Sequence, residues 1–237
     1  MTLRLFGRSV KPAAVRTLTV AGLAVVVCLS LAPREASAVL LSDLVSSQRG
    51  ITSGDKLFDN FSVTVTHNAS GFYVMDPSAI DVKAKQYGND YGIELSGPMS
   101  ASANAAVVLL LEFDATVTDP KMVLHDIGLS FNGVATSPQG IASVTETIFL
   151  PGTNTVVGQA YVATPSPLSD LVILSSVPGT ALRKVHVVKD IKLIGGPDGI
   201  SGISYIRQSF SQVPEPSSLI ALCTGIIGLL GLRRRKR

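Results

Sequence analysis

Residues 61–66 read Phe-Ser-Val-Thr-Val-Thr, with Phe61, Val63 and Val65 on one side of the alternation and Ser62, Thr64 and Thr66 on the other. Side chains of a strand point to opposite faces in turn, so this period of two predicts a strand with one face buried. The signature recurs along the chain. Short apolar or alternating runs occupy residues 72–75, 80–84, 92–95, 106–117, 127–131, 141–150, 155–162, 171–174, 182–194 and 203–210. Turn formers stand between them: Asp76-Pro77, Asn89-Asp90, Ser96-Gly97-Pro98, Asp119-Pro120, Asn132-Gly133, Pro151-Gly152, Pro165 to Pro167, Pro178-Gly179 and the run Gly195 to Gly199. Many short strands with such punctuation predict an all-β fold, a single antiparallel β-sandwich of jelly-roll or immunoglobulin-like type. Residues 40–45 fit a short helix and an edge strand equally.

The chain is 46% hydrophobic and only 16% charged, and its formal net charge of +3 hides an uneven distribution. Five basic residues lie in positions 1–38 and five close the chain, whereas residues 39–212 hold ten basic and fifteen acidic side chains, a formal charge of −5. The central region therefore lacks the basic face that nucleic-acid binding requires. Its 174 residues suffice for one domain with a substantial core. Both cysteines, Cys28 and Cys223, lie outside it, so it contains no disulfide, thiolate metal site or cysteine nucleophile.

The two ends carry export signals. Arg4, Arg8, Lys11 and Arg16 precede the uncharged stretch 17–33, and Ala36-Ser37-Ala38 follows. A cationic region, an apolar region and an A-x-A site predict a Sec signal peptide over 1–38, cut between Ala38 and Val39. The exported domain is then 39–208, followed by a C-terminal signal over 209–237. Within that signal, 209–218 reads as a linker containing Val213-Pro214-Glu215-Pro216, and 219–232 as an apolar membrane helix with glycines at 225, 228 and 231. The basic tail is Arg233, Arg234, Arg235, Lys236 and Arg237. The uncharged run from Ser217 to Leu232 would be roughly 24 Å long as a helix, marginal for a bilayer. Cations directly after it stop transfer and stay cytoplasmic. Prolines lack the N–H that strands and helices use, which predicts an extended, accessible segment around the motif.

The order Val-Pro-Glu-Pro, apolar helix, basic cluster resembles the PEP-CTERM sorting signal of Gram-negative bacteria. The resemblance implies that an exosortase, an integral-membrane cysteine transpeptidase, reads Pro214, Glu215 and Pro216, and that residues 233–237 serve as the retention signal. It also implies transient anchoring in the inner membrane, then a place at the cell surface or in an exopolysaccharide or biofilm matrix. Gly54 to Phe58, Lys189 to Ile191 and Gln208 to Ser211 are similar to short stretches in a subgroup of such proteins, one with no activity to carry over.

Chemistry is sparse between the signals. His67, His125 and His186 have no metal-ligand spacing. Gly199-Ile200-Ser201-Gly202 breaks the nucleophile-elbow pattern by one residue. Glu94, Glu112, Asp114 and Glu146 are carboxylates of the kind a glycosidase would use in pairs. Asp55, Asp59, Asp81, Asn89 and Asp90 are hard oxygen donors near strand ends, which makes calcium the candidate ion, although no calcium-loop pattern is present. Tyr87 and Tyr91 bracket the polar turn Gly88-Asn89-Asp90 and are the candidate sugar contacts. The reading favoured is a non-enzymatic exported surface or matrix protein with no cofactor. The alternative is a carbohydrate-binding module of extracellular polysaccharide; an extracellular hydrolase ranks third.

Overall fold

A computed structural model describes residues 37–68, 70–175, 177 and 181–215. Most of the expected signal peptide, Pro216 of the sorting motif, the expected membrane helix and the basic tail lie outside the described residues. Among the described residues the strands are β1 (Val39–Leu40), β2 (Ile51–Ser53), β3 (Lys56–His67), β4 (Tyr73–Met75), β5 (Asp81–Tyr87), β6 (Asp90–Ala101), β7 (Ala106–Val117), β8 (Met122–Ala135), β9 (Ile141–Phe149), β10 (Val156–Ala163), β11 (Ser169–Ile173), β12 (Lys184–Ile194) and β13 (Ser201–Pro214), with an α-helix, α1 (Leu41–Ser47), and a short 3-10 helix at Pro77–Ala79. They form two sheets, ordered β1-β5-β6-β13-β8-β11, with β4 also on β6, and β10-β9-β12-β7-β3-β2. Every strand pairing is antiparallel, in keeping with the sandwich expected from the sequence.

The ambiguous segment at residues 40–45 divides between both readings. Val39 and Leu40 pair with Val82 and Asp81 at the edge of the first sheet. The chain then turns into α1, whose Leu41 and Leu44 are buried one turn apart, and Gln48 ends it in the left-handed conformation. Val39, the residue expected to follow the signal cut, is thus the first residue of the first strand.

β3 shows how the alternation was built. Phe61 is buried, Val63 and Val65 are half-buried, and Ser62, Thr64 and Thr66 are exposed. Phe58 also points inward, although three positions from Phe61 it would fall on the other face of a regular strand. Asn60 resolves this: it sits at φ 56°, the register with β7 shifts between Asp59 and Ser62, and the extra residue is absorbed as a bulge. Phe58 and Phe61 then both meet Phe113 of β7, at 6.1 and 5.5 Å between ring centres, and Phe58 reaches Phe210 of β13 at 5.6 Å. This aromatic cluster ties the two sheets together.

The first sheet differs from expectation in two respects. Ser96-Gly97-Pro98 and Asn132-Gly133 predict turns, yet both lie inside long strands. Ser96 and Asn132 both face Tyr205, and the pairing of β13 slips between Ile203 and Tyr205 on either side, so these glycines mark one line of bulges across three strands. The second difference is at the C-terminal end. The domain was expected to finish at 208, but β13 continues to Pro214, with Gln212, Val213 and Pro214 opposite Leu124, Val123 and Met122 of β8.

Candidate functional site

The most informative site is where β13 ends. Pro214 has no N–H to give, so its missing donor is tolerable at a strand end. Directly after it, the Glu215 N–H donates to the Lys121 carbonyl at 2.9 Å. The Glu215 carboxylate is gripped by Arg183, through Nε at 2.8 Å and Nη2 at 2.5 Å. The same guanidinium donates to the carbonyl of Pro120, so one side chain joins the tail to the loop before β8. Arg183 is 43% exposed and Glu215 18%, which places the pair at the rim of the fold. Val213, Pro214 and Glu215 are therefore docked on the sandwich. The accessible linker expected over 209–218 is a strand over 209–214 instead, because β13 remains hydrogen-bonded to β8 that far.

A second feature lies on the outer face of the first sheet. Cross-strand register aligns Lys83, Glu94, Arg207, Ser130 and Ser169 in one row. The next row contains Lys85, Gly92, Ser209, Gly128 and Leu171. Small residues at Gly128, Ser130 and Ser209 leave an open depression of about 230 Å³, walled by Tyr87, Asp170 and Arg207. Arg207 Nε donates to Glu94 at 2.9 Å, and its guanidinium lies 4.1 Å from the centre of the Tyr205 ring. Burial, and then the neighbouring Glu94 charge, push the Tyr87 hydroxyl above the usual tyrosine range. The depression thus offers an aromatic ring, a fixed cation and several hydroxyls on a rigid sheet.

The sequence-predicted residues distribute as follows. Tyr87 lines this depression, but Tyr91 does not. The hairpin pairs Tyr87 with Asp90 and Gln86 with Tyr91, so the two rings stand on opposite faces of the sheet. Tyr91 instead lies against Gly54, whose backbone is left-handed, and under the Lys56 ammonium at 5.9 Å. The four carboxylates also separate. Glu94 pairs with Arg207, and Glu146 is fully buried between the sheets. Glu112 and Asp114 share the outer face of the second sheet with His186 and Lys184.

Around Asp114 this second cluster is well satisfied. The carboxylate accepts from Lys184 at 2.8 Å and Asn60 at 2.7 Å and meets His186 Nδ1 at 2.8 Å. Burial works to raise the Asp114 carboxyl, but the bonds from Lys184, Asn60 and His186 outweigh it and hold it below the usual range. Of the candidate calcium donors, Asp55 pairs with Lys56, Asp59 stands 4.0 Å from Lys184, and Asp81 is in the β1–β5–β6 ladder. No group of three metal-ligating side chains converges among the described residues. His67 stacks on Tyr73 at 4.4 Å. No helix among the described residues is long and apolar enough to cross a membrane.

The docked tail is also where a known family is recognised. Residues 212–236 match the profile of the PEP-CTERM protein-sorting motif. The chain carries a PEP-CTERM sorting motif. The motif's first four residues, Gln212 to Glu215, are those seen paired to β8 and Arg183, so the PEP-CTERM segment begins inside the sheet and not after it. A comparison with curated proteins gives no match. Among solved structures, TmCBM61 in complex with β-1,4-galactotriose is similar at 13% identity and a TM-score of 0.34, over 65% of this chain and 88% of that one. A carbohydrate-binding module of the β-sandwich superfamily is similar at 10% identity and 0.31, over 67% and 56%. Endoglucanase 3 from Trichoderma harzianum, family GH12, is similar at 7% identity and 0.24, over 64% and 98%. Scores this low carry no argument about ligand or activity.

Proposed function

We propose that this chain is a non-enzymatic exported protein of a Gram-negative bacterium. The Sec machinery carries it across the inner membrane, its C-terminal helix holds it there, and an exosortase processes it at the PEP motif for the cell surface or an exopolysaccharide matrix. The observation that carries this reading is the PEP-CTERM match over 212–236; the cationic and apolar layout of residues 1–38 supports it. The sandwich is then the displayed product. Glu215 is held on the fold only four residues before the expected membrane helix begins at Leu219, so the domain starts its exported life close against the lipid. The experiment is expression of the full chain in its host with and without the exosortase. Release from the inner membrane only when the enzyme is present is expected; release in both strains overturns the reading.

A second reading, polysaccharide binding by the displayed domain, is favoured by the depression at Tyr87 and Arg207. Stacking a sugar on an aromatic face while a fixed cation and hydroxyls bond its edge is the chemistry those groups supply. Retention on an immobilised host exopolysaccharide is expected to fall in Tyr87→Ala and Arg207→Ala and to persist in Tyr91→Phe, which acts on the other face. Equal retention of all three and of the parent excludes this site.

A further inference from the structure

Three polar side chains stand where the sandwich is driest. Lys189, Glu146 and Gln208 are each fully buried. Lys189 of β12 and Glu146 of β9 are direct cross-strand partners on the inner face of the second sheet, and Gln208 reaches them from β13 of the first. One carboxylate touches both: Glu146 Oε2 meets the Lys189 Nζ, and Glu146 Oε1 accepts from Gln208 Nε2 at 2.5 Å. Their neighbours on the inner faces are Leu111, Val144, Ile148, Ile93 and Leu129, all fully buried. An ion pair isolated in such surroundings is costly, and passing one proton from the ammonium to the carboxylate removes both charges. In line with this, burial holds the Lys189 ammonium far below the usual lysine range. The arrangement that avoids buried charge is an uncharged amine, a nucleophile, beside a carboxylic acid and a carboxamide.

The carboxamide is also incompletely bonded, since Gln208 Oε1 is buried with no hydrogen-bond partner. With Gln208 Nε2 on one Glu146 oxygen and the Lys189 Nζ on the other, the carboxyl group stands between the amine and the amide nitrogen. We propose that Lys189 and Gln208 become joined by an amide bond between the two sheets, with Glu146 carrying the protons. Lys189 Nζ attacks Gln208 Cδ, forming the new C–N bond. The amine proton passes to one Glu146 oxygen while the acid's own proton goes to the departing nitrogen. The Cδ–Nε2 bond breaks, ammonia leaves, and Glu146 ends as the acid it began as. Nothing is oxidised or reduced, and no co-reactant is needed. A domain without cysteine would gain by this bond what a disulfide gives elsewhere, a covalent tie between its layers.

A neighbouring trio has the same bridging layout but a partly exposed carboxylate. Lys56 donates to Asp55 at 2.7 Å and to Gln212 at 2.5 Å, again bridging to β13. There the Lys56 side chain is itself only 1% exposed, but its carboxylate partner Asp55 is 26% exposed, whereas Glu146 has no access to water. Peptide mapping of the full chain, extracted from its host and digested under denaturing conditions, tests the proposal. The expected result is a branched peptide joining the segments that bear Lys189 and Gln208, lighter than their sum by one ammonia. The wild-type map decides by itself, so the test does not depend on any variant folding. Only linear peptides, or a branch from Lys189 to Glu146 lighter by one water, overturns the proposal. In Glu146→Gln, with the fold checked by circular dichroism, the branched peptide is expected to disappear; its persistence overturns the role given to Glu146.

Discussion

Arg183 holds Glu215, the central residue of the Pro-Glu-Pro motif, against the folded domain through two nitrogens of one guanidinium. The residue that the proposed processing enzyme would read is therefore occupied by the protein it is attached to. A partly exposed pair of this kind contributes less than about 1 kcal/mol to global stability, so its effect is local. Arg183→Ala is expected to leave the melting temperature within a few degrees of the parent while speeding hydrogen exchange at the Glu215 amide and the rate of tail processing in the host. Unchanged exchange and processing would show that the clasp does not govern access.

The Asp114 cluster supplies a pH dependence with a definite sign. The folded carboxyl titrates below its ordinary value of 3.8, so its contribution is fully present above that pH and is lost as pH falls through the lower folded value. Allowing for the exposure of its partners, Asp114→Asn is expected to cost roughly 1 kcal/mol near neutrality and to show a shallower loss of stability on the acid side. Parallel stability curves for parent and variant would contradict this; urea titrations across the acid range provide them.

Phe210 joins β13 to the second sheet through Phe58. Phe210→Ala is expected to destabilise by about 3–5 kcal/mol, the range for emptying a buried aromatic site. Because the same strand carries the start of the sorting motif, the variant should also expose residues 212–215 to proteolysis at a concentration of urea that leaves the parent resistant. A cost below about 1 kcal/mol would mean that the cluster does not join the sheets.

Gly54 sits at φ 56°, and a Cβ placed there would lie 2.5 Å from the Tyr91 ring. Gly54→Ala is expected to cost about 1–2 kcal/mol from the left-handed backbone alone, with a further cost from displacing Tyr91. Chemical denaturation measures the total, and a neutral result would contradict the packing described for Tyr91.

Much of this was legible in the sequence, and the failures have physical reasons. The alternation in Phe61, Val63 and Val65 gave the strand and its buried face, because a period of two survives even with a bulge next to it at Asn60. Ser96-Gly97-Pro98 and Asn132-Gly133 read as turns because a glycine that permits a bulge looks the same, in one dimension, as a glycine that permits a reversal. Tyr87 and Tyr91 looked like one site because four residues is a short distance along the chain. A two-residue hairpin pairs 87 with 90, however, and sends 91 to the other face. Pro214 suggested a free linker, but proline is compatible with the last position of a strand, and what anchors the tail is Arg183, about thirty positions upstream, where no local pattern could reveal it. The Lys189–Glu146–Gln208 trio did leave a signal. Each occupies an inward slot of an alternating run, between Val187 and Ile191, Val144 and Ile148, and Ile206 and Phe210, where a polar residue contradicts the pattern and marks a buried partner.

The central claim is that this β-sandwich is delivered through its C-terminal PEP-CTERM signal, and the mature chain's own ends test it most directly. Intact mass and terminal sequencing of the protein from its native host, beside a variant with Pro214, Glu215 and Pro216 all changed to Ala, would supply both ends. The account predicts a wild-type product that begins at Val39 and ends near Pro216, with the variant retained in the inner membrane at greater mass. A wild-type chain that keeps residues 219–237 in the membrane, at the same mass as the variant, would contradict it.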